Sequence, residues 1–378
     1  MGKDIVLAGG GHAHMTVMAN CQAYHERGHR VTLISPEDYH YYSGMGPGML
    51  SGIYKPQEIR FNVKKMMEDH HGRFLAGSVN RVNPDTRQLT LDSGETITYD
   101  VVSFNVGSGV PDDVSHITNE KIFPVKPILN LLKAKEQITK WPKHGNIRIL
   151  VVGGGPAGVE VAGNIQKLTS EKRLTSDITI AAGTQLLRKF PEKVRAIVEK
   201  SFQRREIKII KGTHVKTVHE REAVLENGET IKFDFAFLAL GVKPPSLFQD
   251  SGIPTDKAGG MLVNQYLQSI AHPEIFGGGD CIGLQGQLLE KVGVYAVREN
   301  PVLYHNLMAC AEGKTLTAFD PGGRYLLIFN LGDGTGIFWR GNWVWNGKLP
   351  FHLKDYIDNR FMKRFQVSGE RNETEPSL

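Results

Sequence analysis

A glycine-rich turn between an apolar strand and a helix occurs twice in this chain, and this repeat constrains the fold more than any other sequence feature. The first copy spans residues 5–25 and the second spans residues 149–168. Each copy leads into a segment rich in β-branched residues, 29–35 and 177–182, at the distance expected for the next parallel strand. The repeat therefore predicts two strand–helix–strand units in one chain.

Turns of this kind bind dinucleotides for a physical reason. The first glycine allows a tight turn, the second lets the backbone approach a pyrophosphate, and the third lets helix and strand pack closely. The second copy has all three, at Gly153, Gly155 and Gly158, whereas the first copy has His14 at the third position. We therefore expect either looser packing in the first copy or a gap that accepts the imidazole.

The strand after the second turn lacks the acidic residue that usually binds the ribose 2′-hydroxyl of NAD. It ends in Ala181 and Ala182 instead. Arg188 either meets a 2′-phosphate or is a solvated surface side chain. This pattern predicts weak discrimination between NADH and NADPH.

Composition excludes several other classes of protein. A length of 378 residues predicts two or three domains, and a net charge of +5 without a basic, aromatic-rich run argues against nucleic-acid binding. The three cysteines lie far apart and the histidines form no ligand pattern, so neither a disulfide framework nor a metal site is predicted. The N-terminus does not resemble a signal peptide, and no apolar stretch approaches the roughly 20 residues that span a bilayer. We expect a cytoplasmic protein, and any association with a membrane should be peripheral. The sequence does not indicate whether the protein is a monomer or an oligomer.

Three further segments resemble the flavoproteins of the glutathione reductase structural class. Residues 272–280 resemble the short strand and Gly-Asp motif that holds the FAD ribityl chain in that class, and residues 104–109 and 238–244 resemble its connecting loops. The chain thus resembles the pyridine nucleotide-disulfide oxidoreductases that include type II NADH dehydrogenases and sulfide:quinone oxidoreductases. It is most similar to the FAD/NAD(P)-binding module associated with selenide, water dikinase. Residues 9–14, 42–45, 293–298 and 358–362 carry this closer match.

The resemblance implies an α/β fold with two Rossmann-like domains of the glutathione reductase type and a small C-terminal segment. The FAD-binding domain is discontinuous, because the NAD(P)-binding domain is inserted into it. The predicted segments are 1–115 (FAD, first part), 116–249 (NAD(P)), 250–320 (FAD, second part), 321–366 (C-terminal segment) and 367–378 (a disordered tail).

The resemblance also implies FAD as cofactor and NAD(P)H as substrate, with electrons passing to a quinone or another small-molecule acceptor. The expected cofactor-binding residues are Gly9, Gly10, Gly11, His12, Ala13, Ser35, Val79, Gly107, Gly153, Gly155, Gly158, Gly241, Gly279 and Asp280.

Two charged residues are candidates for catalysis. Glu160 lies on the first turn of the helix after the second glycine turn, where related NADH dehydrogenases carry a glutamate near the meeting point of flavin and nicotinamide. It either handles protons for the acceptor or is a glutamate that the helix dipole alone favours. Lys291 begins a helix predicted over about 291–308, whose N-terminus would face the flavin. It either stabilises charge on the flavin or is a solvated lysine.

Thiol chemistry is disfavoured. Residues 42–50 correspond to the stretch that carries a cysteine pair in the disulfide reductases, yet they contain no cysteine, and Cys281 has no partner in the sequence. The quinone signature of type II NADH dehydrogenases is also missing at 293–299. The leading function is an NAD(P)H dehydrogenase, and the alternatives are a sulfur or selenium oxidoreductase and a flavin-binding redox sensor without turnover.

Residues 349–366 predict an amphipathic basic helix. Leu353, Ile357, Phe361 and Phe365 recur at every fourth position among basic residues. The helix either lies on an anionic membrane surface or packs on the flavin domain.

Overall fold

A computed structural model describes residues 2–109 and 119–374. The predicted domain boundary at residue 115 and residues 375–378 of the predicted tail lie outside these ranges.

Strands and helices alternate along both halves of the chain. The strands are β1 (Asp4–Ala8), β2 (Arg30–Ser35), β3 (Tyr39–Tyr41), β4 (Arg60–Asn62), β5 (Arg73–Ala76), β6 (Val79–Asn83), β7 (Gln88–Leu91), β8 (Thr96–Thr98), β9 (Val101–Phe104), β10 (Ile122–Pro124), β11 (Ile147–Val152), β12 (Ser176–Ala181), β13 (Lys208–Ile210), β14 (Val215–Val218), β15 (Glu222–Leu225), β16 (Thr230–Lys232), β17 (Phe235–Leu238), β18 (Met261–Val263), β19 (Ile275–Gly277), β20 (Ile282–Leu284), β21 (Leu327–Asn330), β22 (Gly336–Arg340) and β23 (Trp343–Gly347). The α-helices are α1 (Met15–Met18), α2 (Cys21–His25), α3 (Gly46–Ser51), α4 (Val63–Asp69), α5 (Leu129–Thr139), α6 (Pro156–Glu171), α7 (Glu192–Arg204), α8 (Leu247–Asp250), α9 (Gly293–Ala311) and α10 (Lys348–Phe365).

Two five-stranded parallel sheets form the centre of the fold. Their strand orders are β19-β9-β1-β2-β5 and β10-β17-β11-β12-β13. Strands β9 and β17 are buried at every position, and β1 and β11 at all but one. Continuous apolar burial of this kind is typical of parallel strands whose sheets are covered on both faces. The α/β fold with two Rossmann-like sheets is as predicted.

The internal repeat extends through each half. Strands β1, β2, β5 and β9 of the first sheet occupy the positions of β11, β12, β13 and β17 in the second. Each half also carries a three-stranded antiparallel sheet, β6-β7-β8 or β14-β15-β16. The halves differ at one edge, because β19 returns from beyond the second sheet to pair with β9. This return brings the Gly-Asp motif beside the first glycine turn.

The C-terminal segment is an antiparallel sheet, β21-β22-β23, followed by α10. The chain after α10 differs from the predicted disordered tail as far as residue 374. Glu370 is buried and accepts the Asn62 N–H (3.1 Å), and Glu373 pairs with the buried Arg60 (2.7 Å). The sequence predicts that these polar residues are disordered, but their hydrogen bonds and ion pairs with Asn62 and Arg60 hold them in place.

Candidate functional site

The first glycine turn packs directly on the residue that follows β9. Gly9 has φ +92°, and a Cβ placed on it would lie 2.3 Å from the carbonyl oxygen of Asn105. A Cβ on Gly11 would lie 1.9 Å from Oδ1 of the same residue. Only glycine fits at these two positions, as the sequence pattern required. The Asn105 Nδ2 group is buried and has no hydrogen-bond partner among the described residues.

His14 resolves the departure from the glycine pattern. Its Nδ1 lies 2.7 Å from the Gly9 carbonyl oxygen and its Nε2 lies 2.8 Å from the Ser103 hydroxyl. Burial lowers the pKa of His14 to about 4, so the ring is neutral. Because a carbonyl only accepts, Nδ1–H donates to Gly9 and Nε2 accepts from Ser103. The imidazole therefore occupies a gap, one of the two expected outcomes, and fixes the turn to β9.

The second glycine turn has the geometry that its three glycines predict. A Cβ on Gly153 (φ +121°) would lie 2.2 Å from the Ala239 carbonyl oxygen, and one on Gly158 would lie 1.9 Å from the Gly153 carbonyl oxygen. Gly155, at the start of α6, has no other atom within 4 Å of such a position. The two crowded glycines shape the turn, and the open one leaves room for a ligand at the helix N-terminus.

The Gly-Asp motif closes over the first turn. A Cβ on Gly278 would lie 2.8 Å from the Ala13 side chain. Asp280 Oδ2 accepts from the Ser108 hydroxyl (2.9 Å) and from the Lys126 ammonium (2.6 Å). Glu299 on α9 is buried and accepts the Gly279 N–H at 2.5 Å, and burial raises its pKa to about 8.

The two connecting loops meet each other. Gly109 and Lys243 exchange backbone hydrogen bonds of 2.9 and 3.0 Å. Gly107 and Gly241 in these loops have φ of +70° and +87°, and a Cβ on either would meet no other atom within 4 Å. The connecting loops of the two halves are therefore joined through their backbones.

Ser35 and Val79 lie farther along the first half. Ser35 ends β2 and accepts the Gly77 N–H at 3.1 Å, which brings the turn before β6 and Val79 close to it. The Ser35 hydroxyl donates to the Glu37 carbonyl oxygen (3.1 Å).

His12 follows the first turn and forms a buried pair with His40. The His12 Nδ1 and His40 Nε2 atoms are 3.2 Å apart, and His12 Nε2 has no partner in the described part of the chain. Burial lowers the pKa of both rings, that of His40 to about 4. The His12 ring also contacts Tyr42 and Phe361, at centroid distances of 5.2 and 5.7 Å. The first turn is thereby joined to α10.

Glu160 lies on the second turn of α6, one turn later than predicted, and is partly buried. Its Oε1 accepts the Asn330 N–H (2.7 Å) from β21. Burial raises the pKa of Glu160 to about 7, while Lys354 opposes the shift and Asp358 adds to it. This carboxyl group is therefore poised to exchange a proton near neutral pH.

Lys354 and Asp358 on α10 form an ion pair beside Glu160. The Lys354 ammonium lies 2.6 Å from Asp358 Oδ2 and donates to the Gly44 carbonyl oxygen at 2.7 Å. Asp358 Oδ1 accepts from the Tyr42 hydroxyl (3.1 Å). We call this set of side chains the acidic cluster; it consists of Glu160, Lys354, Asp358 and Tyr42. The cluster joins α6, in the second half of the chain, to α10 and to the first half.

Comparison with known proteins identifies the family. The model of the pyridine nucleotide-disulphide oxidoreductases matches residues 3–308. The chain belongs to this family. Among curated proteins it is 26% identical over 352 residues to ferroptosis suppressor protein 1 of Xenopus laevis, covering 88% of each chain. It is 22% identical over 367 residues to the type II NADH:quinone oxidoreductase of Haemophilus influenzae, covering 84% of this chain and 82% of that one.

Solved structures agree on the fold. The sulfide:quinone oxidoreductase from Aquifex aeolicus superposes with a TM-score of 0.78 at 17% identity, covering 97% of this chain and 92% of that one. NDH2 from Plasmodium falciparum, in complex with NADH, superposes with a TM-score of 0.79 at 16% identity and covers 98% of both. Together with the family match, the comparisons confirm the predictions of an oxidoreductase that uses FAD and takes electrons from NAD(P)H.

The cysteines of this family member are not arranged for thiol chemistry. All three are free, and Cys281 is buried with its thiol donating to the carbonyl oxygens of Phe104 (3.5 Å) and Gly278 (3.3 Å). Burial raises the pKa of Cys281 to about 12, so the thiolate is scarce at neutral pH.

The structure places Lys291 just before the helix that it was predicted to begin. Helix α9 begins at Gly293, two residues later than predicted, and the Lys291 ammonium donates to the Ile282 carbonyl oxygen at the start of β20. The Lys291 side chain is partly buried, and this carbonyl oxygen is a partner of its ammonium group. It joins β20 to the loop that precedes the helix.

Sequence reasoning missed four residues of the site, Asn105, Lys126, Glu299 and Lys354. Glu299 carried a weak signal, because it lies within a helix rich in apolar residues and a buried carboxylate requires a partner. Lys354 carried a weaker one, since Lys354 and Asp358 have the i, i+4 spacing of a helical ion pair. Nothing in the sequence pointed to Lys126, because its partner Asp280 is 154 residues away along the chain.

Proposed function

We propose that this protein oxidises NAD(P)H through FAD and passes the electrons to a quinone at a membrane surface. The observation that carries the proposal is the acidic cluster, in which a carboxyl group with a pKa near 7 lies just after the nucleotide turn of α6. The relatives of this protein include one described as a type II NADH:quinone oxidoreductase, which supports a quinone as the acceptor.

The residues around the first turn fit FAD. The Asn105 Nδ2 group is a buried donor that needs an acceptor, and the open backbone at Gly107 can approach a ligand closely. We assign Gly9, Gly10, Gly11 and His12 to the pyrophosphate and Asp280 to the ribityl chain. When bound, FAD accepts a hydride from NAD(P)H and passes on two electrons.

The second turn is assigned to the nucleotide substrate. Gly155 leaves the N-terminus of α6 open, so unpaired N–H groups there can bind the pyrophosphate of NAD(P)H. The N-terminus of helix α9 would stabilise negative charge on the flavin if it faces the bound cofactor. We assign Lys291 to positioning this helix through its bond to Ile282, rather than to chemistry.

Glu160 supplies the proton that the overall reaction requires. Oxidation of NAD(P)H by a quinone consumes one proton and yields NAD(P)+ and the quinol. A carboxyl group with a pKa near 7 is half protonated at neutral pH and can both donate and recover a proton. The nearby Lys354 and Asp358 keep its pKa in this range.

Anaerobic stopped-flow absorbance tests the proposal. NADH or NADPH should bleach the bound FAD, and a soluble short-chain quinone should restore its colour. Bleaching by sulfide or selenide without a nucleotide would favour the sulfur or selenium alternative. A flavin that none of these reduces would favour the redox sensor.

The membrane part of the proposal comes from the exposed face of the C-terminal segment. Trp343, Leu349 and Tyr356 are 79, 72 and 63% exposed, and Arg360 and Arg364 are also exposed on α10. The predicted apolar stripe was wrong in part: Ile357 is 42% exposed, while the buried face includes Asp358. The helix buries its ion pair together with Met362 and Phe365, and it leaves Leu349, Tyr356 and Ile357 exposed, as suits an interfacial helix. In the described parts of the chain, none of the helices has the length and apolarity that crossing a bilayer requires.

We expect the protein to sediment with anionic phosphatidylglycerol vesicles. The double variant Trp343→Ser/Leu349→Ser should bind them about tenfold less well or worse, because it removes apolar surface that enters the interface. The control is Leu288→Ser, which removes a 96% exposed leucine from the loop after β20. Equal losses in both proteins, or none in the double variant, would contradict this docking surface.

A further inference from the structure

Glu299 is a buried carboxyl group that the proposed reaction does not use. It lies on the second turn of α9, is 1% exposed, and its Oε2 atom accepts the Gly279 N–H at 2.5 Å. A Cβ on Gly278 would lie 2.8 Å from the Ala13 side chain and 3.0 Å from Glu299 Oε2. Glu299 therefore lies where the Gly-Asp motif meets the first glycine turn, at the junction of the segments assigned to the ribityl chain and the pyrophosphate.

The surroundings of Glu299 do not favour a negative charge. Among the described residues, the Gly279 N–H binds this carboxyl group and no ammonium or guanidinium group forms an ion pair with it. Lys291 attracts a negative charge on Glu299, but its ammonium donates to a carbonyl oxygen of β20, and Asp280 repels that charge. The guanidinium of Arg298, the preceding residue, binds carbonyl oxygens of the loop before β21 instead. A buried carboxyl group in such a setting favours its protonated form.

The other titratable groups packed around Glu299 are neutral near neutral pH. Burial lowers the pKa of His12 and His14 in the turn that contacts α9, that of His14 to about 4. Burial also raises the pKa of Cys281 to about 12. The pKa of Glu299 is raised to about 8, by burial first and by Asp280 second. Of these four side chains, Glu299 is therefore the one that changes its charge near pH 8.

Bound FAD adds negative charge to this junction. In the assignment given above, the pyrophosphate lies at the first turn, so its charge stabilises the protonated form of Glu299 further. We propose that Glu299 is a positioning residue for FAD that is neutral when the cofactor is bound, so that FAD binding takes up one proton from solvent at mildly alkaline pH. As a neutral acid, Glu299 carries its proton on Oε1, while Oε2 accepts the Gly279 N–H and holds the Gly-Asp motif in place. The inference rests on the proposed assignment of FAD to this site.

The affinity for FAD should fall as the pH rises through about 8. In the apoprotein Glu299 loses its proton near this pH, whereas the bound pyrophosphate raises the pKa of Glu299 further. Binding to the ionised form must therefore first restore the proton, so that the dissociation constant should be about tenfold higher at about pH 9 than at about pH 7. Below about pH 7 the affinity should be constant, because Glu299 is protonated with and without FAD. Titration of the apoprotein with FAD, followed by flavin fluorescence, measures this dependence.

The number of protons taken up can be counted on the wild-type protein. Calorimetry of FAD binding at one pH in two buffers of different ionisation enthalpy gives this number directly. We expect about half a proton or more per FAD at about pH 8.5 and close to none at about pH 6.5, since FAD itself does not titrate in this range. An uptake below about 0.2 proton at about pH 8.5 would overturn the inference.

Glu299→Gln assigns the proton to this residue. The amide keeps a carbonyl oxygen for the Gly279 N–H but cannot ionise, so the variant should bind FAD within about threefold of wild type at about pH 6.5 and equally well at about pH 9. The matched control is Glu312→Gln at the other end of α9, where Lys314 and Arg27 lower the pKa of the carboxyl group to about 2. It should keep the pH dependence of wild type.

Two results separate this inference from the proposed function. The same pH dependence in Glu299→Gln as in wild type would show that another group takes up the proton, and tight FAD binding without proton uptake would likewise overturn the role of Glu299 alone. An apoprotein that binds FAD at none of these pH values would remove the flavin site, and with it the proposed function.

Discussion

Replacing Glu160 by glutamine should slow quinone reduction far more than flavin reduction. General acid–base catalysis by a positioned side chain contributes about 10²- to 10⁴-fold, so we expect reoxidation by quinone to fall roughly 100-fold. Reduction of FAD by NAD(P)H should change by less than about threefold. Glutamine keeps the size of the side chain and can still accept the Asn330 N–H, so the loss reports the missing proton. Stopped-flow measurement of the two half-reactions separates these effects.

The pH profile distinguishes proton donation from a structural role. Burial raises the pKa of Glu160 to about 7. An acid donates only while protonated, so reoxidation by quinone should be fastest below pH 7 and fall above it by about tenfold per pH unit. Glu160→Gln should lack this fall. Because the Asp358 carboxylate helps to raise the pKa of Glu160, Asp358→Asn should move the fall to lower pH.

The matched control is Glu171→Gln, which makes the same change at the exposed end of α6. It should leave both half-reactions and the profile unchanged. A Glu160→Gln enzyme that reduces quinone at the wild-type rate would remove Glu160 from the proton route, and the acidic cluster would then be a structural link between α6 and α10.

Local geometry explains why the glycine turns were predictable. Gly9 and Gly153 need positive φ and a close approach to another backbone, and both demands are visible in sequence as glycines between an apolar strand and a helix. The fold class followed because two such units force two parallel sheets. His14 was predictable only as an irregularity, since its partner Ser103 lies 89 residues away.

The acidic cluster was harder to predict because its charged residues lie on the buried face of α10, where an amphipathic helix normally has apolar residues. The prediction from apolar residues at every fourth position assumed that the charged side chains of the helix face solvent. Lys354 and Asp358 face inward because each neutralises the other and Gly44 and Tyr42 complete their hydrogen bonds. The prediction of a disordered tail was wrong up to residue 374 for the same reason. Glu370 and Glu373 bind to Asn62 and Arg60 of β4, respectively. Partners of this kind are set by tertiary structure, which one sequence does not reveal.

Asp280→Ala should lose most of the bound FAD. The Asp280 carboxylate is held by Ser108 and Lys126, and in the proposed complex it accepts a ribityl hydroxyl. A hydrogen bond to a charged group contributes roughly 1.5–3 kcal/mol, so the dissociation constant for FAD should rise by about 10- to 150-fold. The measurements are the FAD-to-protein ratio after purification and titration of the apoprotein with FAD. Asp250→Ala, at the exposed end of α8, controls for the loss of a carboxylate elsewhere.

Two further variants separate loss of the cofactor contact from loss of the ion pair. Asp280→Asn keeps a carbonyl oxygen that can accept the ribityl hydroxyl, so it should retain more FAD than Asp280→Ala. Lys126→Met removes the ammonium but leaves the carboxylate in place, and it should weaken FAD binding much less than Asp280→Ala if the carboxylate contacts the cofactor directly. Equal losses in Lys126→Met and Asp280→Ala would mean that the ion pair, which joins the two halves of the chain, is what FAD binding requires. Wild-type affinity in Asp280→Ala would show that the Gly-Asp motif binds FAD through its backbone, held by Glu299 at the Gly279 N–H, and not through this side chain.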